Sequence, residues 1–134
     1  MLRKASVVVA AVLMSATVGL SAHHSVSAEF DTTKPVTFTG TISRVEWTNP
    51  HIYTHVQVKD ADGKVTEYRV EGGAPNSLYR QGWRKDSLKT GETVTVSGIR
   101  AKNETSMNVG QATITMSDGR RIFAGTGNAN AAQQ

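Results

Sequence analysis

The chain has 134 residues, a length that suits one domain. It contains no cysteine, which excludes thiolate catalysis, cysteine-ligated zinc or iron–sulfur centres, and any support from disulfides. Lys and Arg number 15 against 11 Asp and Glu, but Arg3 and Lys4 fall in a leader, leaving 13 against 11, a net +2 that gives no basis for nucleic-acid binding.

Residues 1–22 read as a secretory signal peptide. Arg3 and Lys4 supply the positive start, Ala5 to Leu20 is apolar or small, and Ser21-Ala22 offers a small-residue cleavage site. The run is short for a membrane span of about 20 residues and contains Ser15, Thr17 and Gly19. The expected product is periplasmic, with no transmembrane span in the mature chain. Cleavage after Ala22 starts it at His23; cleavage after Ser21 starts it at Ala22-His23-His24.

Residues 23–35 form a polar lead-in ending at Pro35. A first strand follows, in which Val36, Phe38, Gly40 and Ile42 alternate with Thr37, Thr39 and Thr41. The apolar phase then slips to Val45 and Trp47, which predicts a bulge or bend near Gly40. Thr48-Asn49-Pro50 is a turn. The second strand, from His51 to Lys59, places Ile52, Thr54, Val56 and Val58 on one face and His51, Tyr53, His55 and Gln57 on the other. Asp60-Ala61-Asp62-Gly63 connects it to a third strand over 64–71. Gly72-Gly73-Ala74 breaks the sheet, and Pro75 suits the first position of a short helix. That helix would bury Leu78 and Tyr79 and end at Gly82. Two more strands are expected, at 92–101 and around Ala112, Ile114 and Met116, then a short one at 121–124 and a disordered tail over 125–134.

This order predicts an all-β fold: a small OB-like five-stranded barrel over 36–124 with one short helix between strands three and four. An open β-sandwich or another small barrel is the alternative.

The segments His23-His24-Ser25, Lys34-Pro35-Val36, Val45 to His51 (VEWTNPH), Lys59 to Gly63 (KDADG), Gly82-Trp83, Val94 to Gly98 (VTVSG) and Asp118-Gly119-Arg120 run through the mature chain to about Gly125. In these the sequence resembles a family of small exported bacterial proteins that has no assigned function. The HHS start and the WTNPH stretch are the most specific parts. The resemblance implies a single exported domain and supplies no catalytic residues. His55 departs from it, in a region the family fills with less polar or aromatic residues.

Two groups of residues carry candidate chemistry. The first is the pair His23 and His24. An N-terminal His23 offers its amine and ring to copper, with a third nitrogen from another histidine completing a T-shaped set. A chain starting at Ala22 instead puts His24 third, where amine, two backbone amides and imidazole make a square-planar Cu(II) or Ni(II) site. His51 and His55 lie about 13 Å apart along one strand and cannot share an ion. The second group is the outer face of strands two and three. Trp47, His51, Tyr53, His55 and Arg69, beside Gln57, Glu67 and Glu71, suit a small or extended polar ligand such as a sugar or peptide. The face lacks the basic groove that single-stranded nucleic acid requires.

The basic run Tyr79 to Lys85 would read an anionic polymer or, more simply, close a helix. No Gly-x-Ser-x-Gly elbow, P-loop, dinucleotide fingerprint or HExxH motif is present. DADG lacks the late Glu of a calcium loop. The expectation is therefore a binding module without catalysis, the alternatives being a copper- or nickel-binding protein and an envelope structural or assembly partner.

Overall fold

The computed structural model describes residues 24–123, side chains from Ser27 to Ile122. The signal-peptide reading of 1–22, His23 and the tail beyond 123 lie outside the described residues, and of His24 only the backbone is described. The elements are α1 (His24–Glu29), β1 (Phe30–Glu46), β2 (Tyr53–Lys59), β3 (Val65–Glu71), α2 (Pro75–Arg80), β4 (Thr93–Ala101), β5 (Asn108–Met116) and β6 (Arg121–Phe123). No helix among the described residues is long and apolar enough to cross a membrane.

The strands form one sheet in the order β3-β2-β1-β4-β5-β6. A parallel pairing of β3 with β5, Arg69 beside Asn108 and Val70 beside Val109, closes β1 to β5 into a ring. With α2 between β3 and β4, this is the OB-like order read from the sequence, extended by α1 and β6. The ring depends on β1, which pairs with β4 from Pro35 to Thr41 and with β2 from Thr41 to Glu46. At the handover, a Cβ on Gly40 would collide with the Gln57 carbonyl and the Val56 side chain, so glycine lets the two strands approach.

Alternation decides what fills the interior. Ile42, Val56, Val70, Val94, Val96, Val109 and Ile114 are buried, with Phe38, Tyr68, Trp47 and Trp83 packed at the margins. Burying each such Val or Ile stabilises by about 1.5–3 kcal/mol. Helix α2 adds Leu78, and Leu88 follows. Tyr79 is 59% exposed rather than buried as expected, because neighbours in a helix do not share a face.

The polar lead-in carries regular structure. Residues 24–29 form α1, and β1 begins at Phe30 instead of Val36. Phe30 pairs with Ala101, and its ring covers Gly110, where a Cβ would strike it. A single apolar residue among Glu29, Asp31, Thr32 and Thr33 leaves no alternation to read; the glycine on β5 makes its place.

The predicted phase slip in β1 is a register shift between Ile42 and Arg44. Ile42 lies opposite Val56, and Arg44 lies opposite His55, with Ser43 the extra residue. Without it, Arg44 would share the inward face of Ile42, since residues two apart in a strand point the same way. The bulge thereby turns Arg44 and Glu46 outward, onto the face of His55.

Candidate functional site

Strand register assembles the outer face of β1, β2 and β3 in rows. Arg44, His55 and Arg69 are paired across the three strands, as are Glu46, Tyr53 and Glu71. Gln57 and Glu67 form the next row beside Thr41. A row with two arginines therefore lies beside a row with two glutamates, and the ion pairs form between the rows, Arg44 and Arg69 each meeting Glu46.

His55 stands outward as the alternation predicts, yet it is only 5% exposed. Its neighbours cover it. Nδ1 lies 3.1 Å from Glu67 Oε1, and Nε2 lies 3.1 Å from both Glu46 Oε1 and an Arg44 guanidinium nitrogen. Each ring nitrogen thus has a carboxylate oxygen and an Arg44 guanidinium nitrogen within hydrogen-bond distance. Glu67 also accepts from Gln57 at 2.9 Å and from the Ser43 hydroxyl at 3.0 Å. Those two hydrogen bonds, aided by His55, hold its pKa below the ordinary glutamate value. For Glu46, burial pulls upward, but His55, Arg44 and Arg69 together outweigh it and hold the pKa down. Arg44 donates to Glu46 at 2.8 Å.

The corner next to this cluster is arranged differently. The Arg69 guanidinium lies over the Tyr53 ring, and His51 meets that ring edge-on with centroids 6.5 Å apart. His51 Nδ1 donates to the Gly72 carbonyl at 3.0 Å, with Glu71 Oε1 at 3.6 Å. Backbone bonds from Ile52 to Gly73 and from Gly72 to Ile52 fix this segment. Nε2 of the same ring has no hydrogen-bond partner among the described residues. Burial raises the Glu71 pKa, with Glu29 adding to the rise and His51 and Arg69 opposing it.

Of the five residues the sequence nominated, the structure groups Tyr53, His55, Arg69 and His51. Trp47 is half-buried and packs against the core. Arg44, Glu46 and Ser43 complete the cluster and were not nominated; the phase slip after Ile42 is the signal that places them. In the basic run, Arg84 turns back to donate to the Tyr79 and Trp83 carbonyls and stacks on Tyr79. Trp83 packs against the core. In DADG, Asp60 accepts from the Asp62 and Lys64 amides, and Gly63 has φ +83°, as a hairpin connection requires. Among the described residues no group of three or more His, Asp or Glu could hold a metal ion.

Residues 10–111 match the model of a family of unknown function, DUF6152. No match was found among curated proteins or among solved structures. The match spans more than half of the chain and agrees with the resemblance to a family without an assigned function. The chain belongs to the DUF6152 family, whose function is unknown.

Proposed function

We propose that this protein is an exported periplasmic binding module, without catalysis of its own, that holds a polar ligand at the corner formed by His51, Tyr53, Arg69 and Glu71. The observation that carries this reading is the contrast across one face. The His55 cluster satisfies its own polar atoms, whereas His51 Nε2 is left without a described partner beside a fixed guanidinium–aromatic pair. The cluster serves as a rigid support, and the corner offers a donor, an acceptor and a π-face.

The test is native mass spectrometry of protein recovered from the periplasm. A co-purifying small molecule that is lost from a folded Tyr53→Ala, Arg69→Ala double variant supports the reading. Recovery of the bare chain, or of the chain bound only to one envelope protein, sinks it and favours an assembly role.

The second reading is copper or nickel bound at the processed N-terminus through His23 or His24. It rests on the amine and imidazole nitrogens that a chain starting at His23 or Ala22 would bring together.

A further inference from the structure

We propose that the margin of the core beside Arg100, where β3 parts from β5, is a second binding site and takes an aliphatic carboxylate, with the acid group on the Arg100 guanidinium and the chain along Val36, Phe38 and Met107. The proposal is independent of the corner at His51 and of where the mature chain starts.

The first argument is the state of Arg100. Three cations are half-buried among the described residues: Lys34, Arg69 and Arg100. Lys34 lies 3.5 Å from Glu104, and Arg69 lies 3.7 Å from Glu46. Arg100 meets no carboxylate among the described residues. Its Nη2 donates to the Ser106 carbonyl at 3.1 Å, but Nε is buried without a partner among the described residues. Withdrawing a guanidinium from water is costly unless acceptors and a counter-charge replace the water, and orphaned buried donors are rare. A bound anion supplies both.

The second argument is placement. Phe38, Tyr68 and Arg100 stand opposite Val96, Val56 and Val109 in their ladders, and all three valines are buried. Residues paired across a ladder share a face, so the three side chains belong to the inward face of the ring. Tyr68 stacks on Phe38 with ring centroids 4.1 Å apart, and the Arg100 guanidinium carbon lies 5.4 Å from the Tyr68 centroid. The parallel seam pairs β5 with Arg69 and Val70 alone, so Tyr68 lies just past its end. Met107, the residue before β5, accepts from the Arg69 amide at 3.1 Å and sets its sulfur 4.0 Å from Arg100 Nη2. It is 36% exposed. Methionine adapts its shape readily, so Met107 is the cover that an entering chain displaces.

The third argument is the class of ligand. Tyr68 already stacks on Phe38 and carries the guanidinium, and the side chains that remain to line the approach, Val36 and Met107, are aliphatic. One positive charge at an apolar margin suits a monoanion with an apolar tail, and the planar fork of a guanidinium matches a carboxylate.

The experiment titrates the exported protein with octanoate, followed by calorimetry and by the ¹⁵N–¹H resonance of Arg100 Nε. One octanoate per chain and a shifted Arg100 Nε–H signal are expected. Octanol, which lacks the charge, and acetate, which lacks the chain, should each bind about ten-fold more weakly or worse, the scale of one lost charged hydrogen bond. Arg100→Gln should lose a similar factor, while Arg121→Ala, which removes an exposed cation elsewhere on the sheet, should bind as wild type. Circular dichroism melts establish that both variants fold; should Arg100→Gln not fold, the ligand comparison and the Nε–H signal of the wild-type protein decide alone. Absence of octanoate binding, equal binding of octanol or acetate, or equal losses in the two variants overturn the proposal. A shift confined to Arg69 Nε–H places the carboxylate at the corner instead and also overturns it, as does benzoate binding more tightly than octanoate.

Discussion

The Tyr53 ring lies beneath the Arg69 guanidinium, whose central carbon is 3.3 Å from the ring centroid. The contact is diagonal across the β2–β3 pairing, because Tyr53 itself lies opposite Glu71. It holds Arg69 in place while Glu46 Oε2, 3.7 Å away, draws its charge toward β1. One side chain thus links three strands at the edge of the corner.

Loss of that link should be modest in stability. Arg69→Ala is expected to lower the unfolding free energy by about 0.5–1 kcal/mol, the range for a partly exposed guanidinium–aromatic contact. Tyr53→Phe, which keeps the ring, should stay within about 0.5 kcal/mol of wild type. Urea titrations of the two variants check the pair; equal losses would mean that the hydroxyl, not the ring face, matters.

His55 behaves as a structural residue, so its replacement should be felt more. His55→Ala removes the group that Glu46 and Glu67 face together and opens a hole beneath them. A loss of about 1–3 kcal/mol is expected, as for buried hydrogen-bonding groups deprived of a partner. A denaturation midpoint equal to wild type would show that Arg44, Gln57 and Ser43 suffice for the carboxylates.

Acid should act on the glutamates with opposite signs. Glu67 and Glu46 hold their protons less tightly in the folded chain than in the unfolded chain. Their contribution is therefore complete above the ordinary glutamate value and is lost as pH falls through the lowered folded values. Glu67→Gln should cost stability at pH 7 and converge with wild type in acid. Glu71 is raised, first by its burial. Its ionisation penalises the fold as pH rises through the unfolded value, and the penalty is complete above the folded one. Glu71→Gln should thus gain on wild type between pH 4 and pH 7. Melting temperatures of both variants, followed from neutral pH down past the ordinary glutamate range, distinguish the two signs.

Gly40 gives the sharpest packing prediction. Gly40→Ala drives a methyl group into the Gln57 carbonyl at the point where β1 passes from β4 to β2. About 1–3 kcal/mol of destabilisation is expected. Gly63→Ala is a useful comparison, because its penalty comes from φ +83° in an open hairpin rather than from collision.

Much of this architecture is legible in the sequence because the pattern is local. Thr alternating with Val, Phe and Ile marks β1 and β4, DADG marks the hairpin, and Pro75 opens α2. The slip after Ile42 announces the bulge. Phe30 and His55 are harder. Phe30 is placed by Gly110, 80 residues later in the chain. His55 has the phase of an exposed residue and is covered only because the bulge sets Arg44 and Glu46 beside it. The β3–β5 closure is a two-pair parallel contact between segments far apart in sequence, and no periodicity within either strand reports it.

The division of β1 between two partners has a kinetic consequence. Its C-terminal part meets β2 across a short turn, whereas Thr37 must find Ser97, 60 residues away. The β1–β2–β3 meander is built from near neighbours and can assemble early, while ring closure waits for β4. Contacts of such separation slow folding because chain ends must meet before any pairing rewards them. The half of β1 that awaits β4 is then an open strand edge, lined outward with Thr37, Thr39 and Thr41 rather than with apolar side chains. Lys34 and Pro35 at the start of that half, a charge and a residue without an N–H, lower the risk that two unfinished chains pair with each other before each finds its own β4.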